Sequence, residues 1–313
     1  MRQHKALGYA AGLAAVVIWS SVYSLKVVML ERLSPVEIVF LQYLGTTVLL
    51  GLLALLRGQR LRIGWKNAGK LVAVGAVGVA LFQLLVTLGI AMVGSVTASV
   101  FSALLPAMCM IVDVVVLRKW WGRLGWLGIA LSFAGILLVV GGAPLAGGQV
   151  LGYVLLLGSN AVWIFYCYCN QRLQGEYDGV VLLFYQSMSV VLALLPAVAA
   201  GGFRGLPALA DPALALQVLF LSAVNGVAAY LLLNFTIRTL DVVVSNILFN
   251  FVPVVTILIE WALYGKAISA AQLLGVAMVI VSAILPNLAL GKLMKKDLPN
   301  DEDGAIIRDK KNS

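Results

Sequence analysis

Ionisable side chains are scarce over long stretches of this chain, so the few present there define the available chemistry. Asp113 and Glu260 are carboxylates set in apolar runs, and Lys26 is an amine set in another. A carboxylate in such surroundings has two uses. It binds a proton or cation and couples it to movement, or it reaches the nearer membrane face and pairs with a base or a tyrosine, as Glu260 would with Tyr264 four residues on. Lys26 follows Tyr23 by three residues and Trp19 by seven, which puts all three on one helix face. There it serves either as the cation for a substrate carboxylate or as an anchor at the outer interface.

Aromatic and amide residues recur around these positions: Trp19, Tyr23, Gln42, Gln83, Trp163, Tyr166, Asn170, Tyr185, Gln186, Asn225, Tyr230 and Asn234, with Asn246 and Asn250 just ahead of Pro253. Trp and Tyr at the ends of membrane spans form an interfacial belt, which accounts for Tyr9, Trp120, Trp121 and Trp126. Trp19, Trp163 and Tyr230 fall deeper. A wall of aromatics and amides with few fixed charges suits a small uncharged or zwitterionic organic molecule. The expected lining is Trp19, Tyr23, Lys26, Gln42, Gln83, Trp163, Tyr166, Tyr185, Tyr230, Asn234 and Asn250. Pro106 and Pro253 each remove a helix hydrogen bond, to the carbonyls of Ser102 and Phe249, and predict an opened turn or hinge at each place. Cys109, Cys167 and Cys169 suggest neither a disulfide framework nor a metal site, and no cofactor motif is present.

The elements that must carry these residues follow from composition. Of 313 residues 62% are hydrophobic and 11% charged, and the mean hydropathy is +1.02, more apolar surface than a soluble domain of this size can bury. A bilayer core requires about 20 apolar residues per helix. Ten such runs occur, at 7–30, 36–56, 69–91, 95–117, 124–142, 150–170, 179–200, 214–236, 242–264 and 269–290. The fold class expected is an all-α integral membrane protein of ten transmembrane helices. With a cytoplasmic N-terminus, every Lys and Arg of the 22 except Lys26, Arg32, Arg204 and Lys266 falls on the inner side. The net charge of +9 therefore reports topology rather than a nucleic-acid partner, and both termini are expected in the cytoplasm. Residues 1–22 read as the start of the first span rather than a cleaved signal, and 291–313 as a flexible cytoplasmic tail.

The chain also repeats itself. At an offset of 144, Trp19 matches Trp163 and Gln42 matches Gln186. At an offset of 147, Pro106 matches Pro253, Asp113 matches Glu260, Lys119 matches Lys266 and Gly128 matches Gly275. Two five-helix units are expected, 1–143 and 144–290. Five being odd, the second enters the membrane from the opposite side, an inverted repeat of the kind that supports alternating access. The frame pairs Lys26 with Asn170 and Gln83 with Tyr230, so the halves share candidate hinges but not polar linings.

These features resemble the EamA-type transporters of the drug/metabolite transporter superfamily over residues 7–290. The resemblance rests on Trp19 followed by Lys26, on Leu33-Ser34-Pro35, on the stretch from Ser95 to Pro106, and on Gly128 and Gly135. Trp163, Asn246, Pro253 and Gly275 repeat the pattern. It implies a ten-helix carrier with a central cavity lined from both halves, exporting amino acids, other metabolites or drugs, and the aromatic candidates make the chain similar to aromatic amino acid exporters. The chain departs from the family where Gln42 replaces an Arg and where Arg118-Lys119 and Lys266 replace acidic motifs. A secondary exporter of a small organic metabolite, an amino acid among the candidates, is the reading carried forward. Its site is in a bacterial inner membrane, with a small-molecule substrate, the lipid bilayer as surroundings, and a monomer or weak homo-oligomer as the state. A multidrug carrier of the same fold, a channel or receptor, and an intramembrane enzyme using Asp113 and Glu260 are the alternatives. The enzyme is disfavoured by the opposite depths of the two acids and by the lack of an HExxH or glycine-flanked Asp motif. No GxxxxGK[ST] motif supports ATP-driven transport.

Overall fold

The computed structural model describes residues 2–282 apart from Arg60, Leu117, 119–121, 141–146, Arg204, Asp241, Lys266 and Ile268. The expected tail and the end of the tenth span lie outside these residues, as does the Asp113 side chain. The described chain is helical: α1 (Arg2–Leu30), α2 (Pro35–Leu56), α3 (Trp65–Val93), α4 (Ser95–Ser102), α5 (Leu105–Val115), α6 (Gly122–Val140), α7 (Gly147–Leu173), α8 (Gly179–Ala200), the single turn α9 (Gly205–Ala208), α10 (Pro212–Leu240), α11 (Val242–Ile247), α12 (Val252–Tyr264) and α13 (Ala270–Ser282). Seven stretches, one of them α4 and α5 taken together, are each long and apolar enough to cross a membrane. The segments Leu248–Tyr264 and Ala270–Ser282 are shorter. With α6 they coincide with the ten hydrophobic runs, so the chain is an all-helical membrane protein of about ten helices. Leu55, Leu56, Trp65, Val115, Leu216 and Leu263 are all more than half exposed, which water would penalise and lipid does not.

The two halves use the same local devices at matching positions. Ser34 caps α2 in a box with Glu37, its hydroxyl accepting from the Glu37 N–H while the carboxylate accepts from the Ser34 N–H. Its counterpart Asp178 caps α8 by accepting from Val180 N–H. Inside α3 the residues Ala76–Leu81 form a π-helical stretch, and inside α10 so do Leu221–Ala229. Such widened turns shift the register of everything beyond them and are frequent at functional sites.

The helices that carry Pro106 and Pro253 are each interrupted just ahead of the proline. Between α4 and α5 the N–H groups of Ala103 and Leu104 turn back to Val100 and Phe101 at 3.1 Å each. Between α11 and α12 the chain runs as a 3₁₀ turn, Leu248–Phe251. Pro106 and Pro253 then sit in the first turn of the helix that follows, where a missing N–H costs nothing. Side chains from other helices serve the opened backbone. Asn160 Nδ2 donates to the Phe101 carbonyl at 2.6 Å, and Ser20 Oγ to the Val252 carbonyl at 3.2 Å.

Packing interleaves the halves. Helix α1 lies against α10 and α12, α7 against α3, and α2 against α8. Helix α4 packs on α12 while α11 packs on α5, so the two broken helices cross antiparallel. Close approach is set by small residues with exchanged roles. A Cβ on Gly75 of α3 would lie 2.6 Å from the Gln186 Cα of α8, and one on Gly45 of α2 would lie 2.8 Å from the Ser222 Cβ of α10. In the 147 frame Gly75 matches Ser222, and in the 144 frame Gly45 matches Ser189, so each half supplies the glycine to one contact and the serine to the other.

Candidate functional site

Between the halves lies a cavity of about 40 Å³. It is lined by Trp19, Val22, Tyr23 and Lys26 of α1, Phe82, Gln83, Val86 and Ile90 of α3, Trp163 of α7, Asn225 of α10, and Phe249 and Val252 at the second break. Its size admits a few waters, not an organic solute. A wider recess of about 620 Å³ is formed by Val27, Leu30, the turn Glu31 to Pro35, and Ile90, Ala91 and Gly94. Ile90 belongs to both walls, which puts the recess next to the cavity on the side of the α1–α2 turn.

The aromatic wall is built around the repeat-related pair Trp19 and Trp163, whose rings meet edge to face with centroids 5.7 Å apart. Phe249 stacks on Trp19 at 4.9 Å, and Phe82 lies 4.6 Å from Trp163. The arrangement presents ring faces and edges to a ligand without fixed charge. Trp163 is held by donating its indole N–H to Asn246 Oδ1 at 3.1 Å.

Lys26 supplies the one described amine of this wall. It is 1% exposed, and its Nζ donates to Gln83 Oε1 and to Thr87 Oγ1, both at 2.9 Å. No described carboxylate pairs with it. Of the two expectations for Lys26, the interfacial anchor is corrected: an anchor reaches water or headgroups, whereas this amine turns inward. From Gln83 the hydrogen bonds continue. Gln83 Nε2 donates to Tyr230 OH at 3.1 Å, and Tyr43 OH donates to the same oxygen at 3.1 Å, so one chain of polar groups ties α1, α3, α10 and α2.

The corresponding position of the second half is filled differently. Tyr166 OH donates to Gln186 Oε1 and Gln186 Nε2 to Asn170 Oδ1, both at 3.2 Å. Asn170 Nδ2 donates to Asn234 Oδ1 at 2.8 Å, joined by Gln174 Nε2 at 3.0 Å. Both amides, Gln186 and Asn170, are engaged at nitrogen and at oxygen.

Of the residues expected to line a site, the structure brings Trp19, Tyr23, Lys26, Gln83 and Trp163 to the cavity and places Tyr230 and Tyr166 directly behind it. Gln42 is buried at the α2–α10 contact, where its backbone carbonyl accepts from Ser222 Oγ at 3.0 Å. Three others are not brought there either. Tyr185 OH donates to the Leu61 carbonyl at 2.7 Å and secures the segment before α3, Asn234 belongs to the second-half network, and Asn250 is buried in the 3₁₀ turn. Glu260 is 2% exposed and its Oε1 accepts from Ser95 Oγ at 2.6 Å. The expectation that it snorkels to a membrane face is therefore corrected: it is buried where the broken helices of the two halves cross. Val22, Phe82, Val86 and Phe249 were missed, because an apolar residue that lines a cavity carries the same sequence signal as one that packs a core.

A family model described as the EamA-like transporter family matches residues 6–141 and again 150–288. The chain is 26% identical to an "Uncharacterized inner membrane transporter YedA" of Escherichia coli K12, over 91% of this chain and 92% of that one. It is 24% identical to a "Probable terminal-alkyne amino-acid exporter" of Streptantibioticus cattleyicolor, over 68% and 71% of the two chains. A solved crystal structure aligns at a TM-score of 0.67 and 18% identity, over 91% of this chain and 98% of the other, a likeness of fold.

Proposed function

Because the chain belongs to the EamA-like transporter family, a membrane transporter and not an enzyme, we propose that it is a secondary carrier. In this reading it exports a small zwitterionic metabolite, an amino acid with an apolar or aromatic side chain, across a bacterial inner membrane. The observation that carries this is Lys26: an amine buried in an aromatic cavity between the halves, with amide and hydroxyl partners and no described counter-ion. A substrate carboxylate supplies the missing charge, and the rings of Trp19, Trp163, Phe82 and Phe249 receive its side chain. The name of the Streptantibioticus relative supports an amino-acid class of substrate.

The two EamA halves, divided at 143–144, lie in opposite senses across the bilayer. The antiparallel crossing of α4–α5 with α11–α12 supports this, as does the one-sided distribution of Lys and Arg. Alternating access follows from exchanging their conformations, with the breaks at Pro106 and Pro253 as hinges. Glu260, hydrogen-bonded to Ser95 across the crossing, is the proposed coupling carboxylate of the second half and Asp113 that of the first. Protonation of Glu260 changes the attraction between two elements that must part when the carrier turns over.

Counterflow of L-amino acids by purified protein in liposomes tests the reading. Saturable exchange that accelerates with substrate on the far side is expected. Flux that is linear in concentration and indifferent to substrate on the far side would point to a channel and sink the proposal.

A further inference from the structure

The two halves answer one structural question in two ways. In the first half the π-helical stretch of α3 carries Gly78, and the space above it is taken by Tyr166 of α7: a Cβ added at Gly78 would come within 2.8 Å of the Tyr166 ring. The repeat-related pair is Asn225 in the π-helical stretch of α10 and Val22 on α1. The tyrosine that fills the one side is replaced by a shorter valine, the glycine is replaced by an asparagine, and both line the cavity. The amide of Asn225 is 1% exposed, and neither its nitrogen nor its oxygen has a hydrogen-bond partner among the described residues. The same holds for the amide of Gln42, buried on the facing helix α2. Its repeat counterpart Gln186 has both amide atoms engaged, by Tyr166 and by Asn170.

Buried amides are almost always satisfied, so the open amide of Asn225 in the cavity wall, with a second open amide on the helix packed against it, marks a place built to be satisfied by something that enters the cavity. We infer that Asn225, with Gln42 behind it, is the recognition element for a ligand α-ammonium group adjacent to the carboxylate taken by Lys26. The inference rests on the carrier reading and narrows it. Asn225 Oδ1 and Gln42 Oε1 accept from the ammonium, and Asn225 Nδ2 donates to the carboxylate beside Lys26. A neutral amide pair suits an ammonium that arrives with its own carboxylate, since no fixed negative charge is needed to balance it. Simple carboxylic acids and simple amines are each half-recognised and excluded by what they leave unpaired.

Three probes sharing one side chain separate these contributions: L-phenylalanine, 3-phenylpropionate, which lacks the α-ammonium, and 2-phenylethylamine, which lacks the carboxylate. Binding to the purified full-length protein is read from the fluorescence of Trp19 and Trp163, with calorimetry as a check. The wild type should prefer phenylalanine to either analogue by about tenfold or more. The N225L variant should lower the preference over 3-phenylpropionate to less than about threefold, while the melting temperature of the ligand-free protein rises, because an unsatisfied buried amide has been replaced by an apolar group of like size. Equal binding of phenylalanine and 3-phenylpropionate by the wild type overturns the inference and leaves the carrier reading standing, as does an N225L variant that keeps the preference or melts at a lower temperature. Failure of all three probes and of the other L-amino acids to bind overturns both.

Discussion

The first and second halves of this transporter share a scaffold and divide the work. Caps, π-helical stretches, broken helices and glycine contacts recur at matching positions. The polar residues beside them do not. In the second half Tyr166, Gln186, Asn170, Asn234 and Gln174 form a connected network. In the first half the matching face offers Val22, Gln42 and Lys26, and the amine is satisfied by Gln83 and Thr87 from a neighbouring helix. Duplication fixed what both halves need in order to pack, and divergence left the buried amine, Lys26, on one side of a cavity that both halves line. The fuller network reads as structural, the emptier one as the place for cargo.

The comparison breaks most visibly at Lys26. Replacing it by Gln should reduce amino-acid counterflow by about 10- to 150-fold, the equivalent of a lost charge-assisted hydrogen bond of about 1.5–3 kcal/mol. Melting should change little, because Gln can still donate to Gln83 or Thr87. A smaller effect tests the shared scaffold. Gly75→Ala drives a methyl against the α8 backbone at Gln186 and should destabilise by about 1–3 kcal/mol, read from thermal unfolding in detergent. On the second-half network, Gln186→Leu strands the Tyr166 hydroxyl and the Asn170 carbonyl and should cost about 1–2 kcal/mol, with transport per folded molecule preserved. A loss of transport without a loss of stability there would reverse the assignment of roles.

Two weaker effects sharpen the picture at the ends of helices. Arg118 follows the broken helix of the first half with a left-handed φ of 53°, where the second half has Gly265 at 61°. Arg118→Gly should therefore stabilise by about 1 kcal/mol, checked by thermal melting. At the opposite end, Arg32 pairs with Asp211 across the turn before α10. The Arg32 guanidinium and the Ala213 N–H hold the Asp211 carboxyl below its ordinary range. A lowered carboxylate value adds stability above that range and loses it as the pH falls through the lowered value. Asp211→Asn should consequently alter melting only slightly at neutral pH, and less in high salt.

The number and boundaries of the hydrophobic runs, the repeat and the two proline breaks were legible in the sequence. Each rests on rare residues or on long-range periodicity, both of which survive without knowledge of packing. The positions of Trp19, Tyr23, Lys26, Gln83 and Trp163 were legible because a polar or aromatic group inside an apolar run must turn away from lipid. Tyr185 and Asn234 obey the same rule, yet their partners lie outside the cavity: the Leu61 carbonyl for Tyr185, and Asn170 and Gln174 for Asn234. The inward turn of Glu260 was hidden because its partner Ser95 is 165 residues away. The role of Val22 was hidden more deeply still, since its meaning comes from the tyrosine it replaces in the other half.

Parallel counterflow by the Lys26→Gln and Asn170→Ala variants tests the division of labour most directly, because the two positions are repeat counterparts. Lys26→Gln should lose exchange of L-amino acids while unfolding at the wild-type temperature. Asn170→Ala should unfold at a lower temperature while exchanging at the wild-type rate per folded molecule. The opposite pairing of outcomes, or equal loss of exchange in both, would contradict the assignment of the carboxylate contact to Lys26 and of a packing role to Asn170.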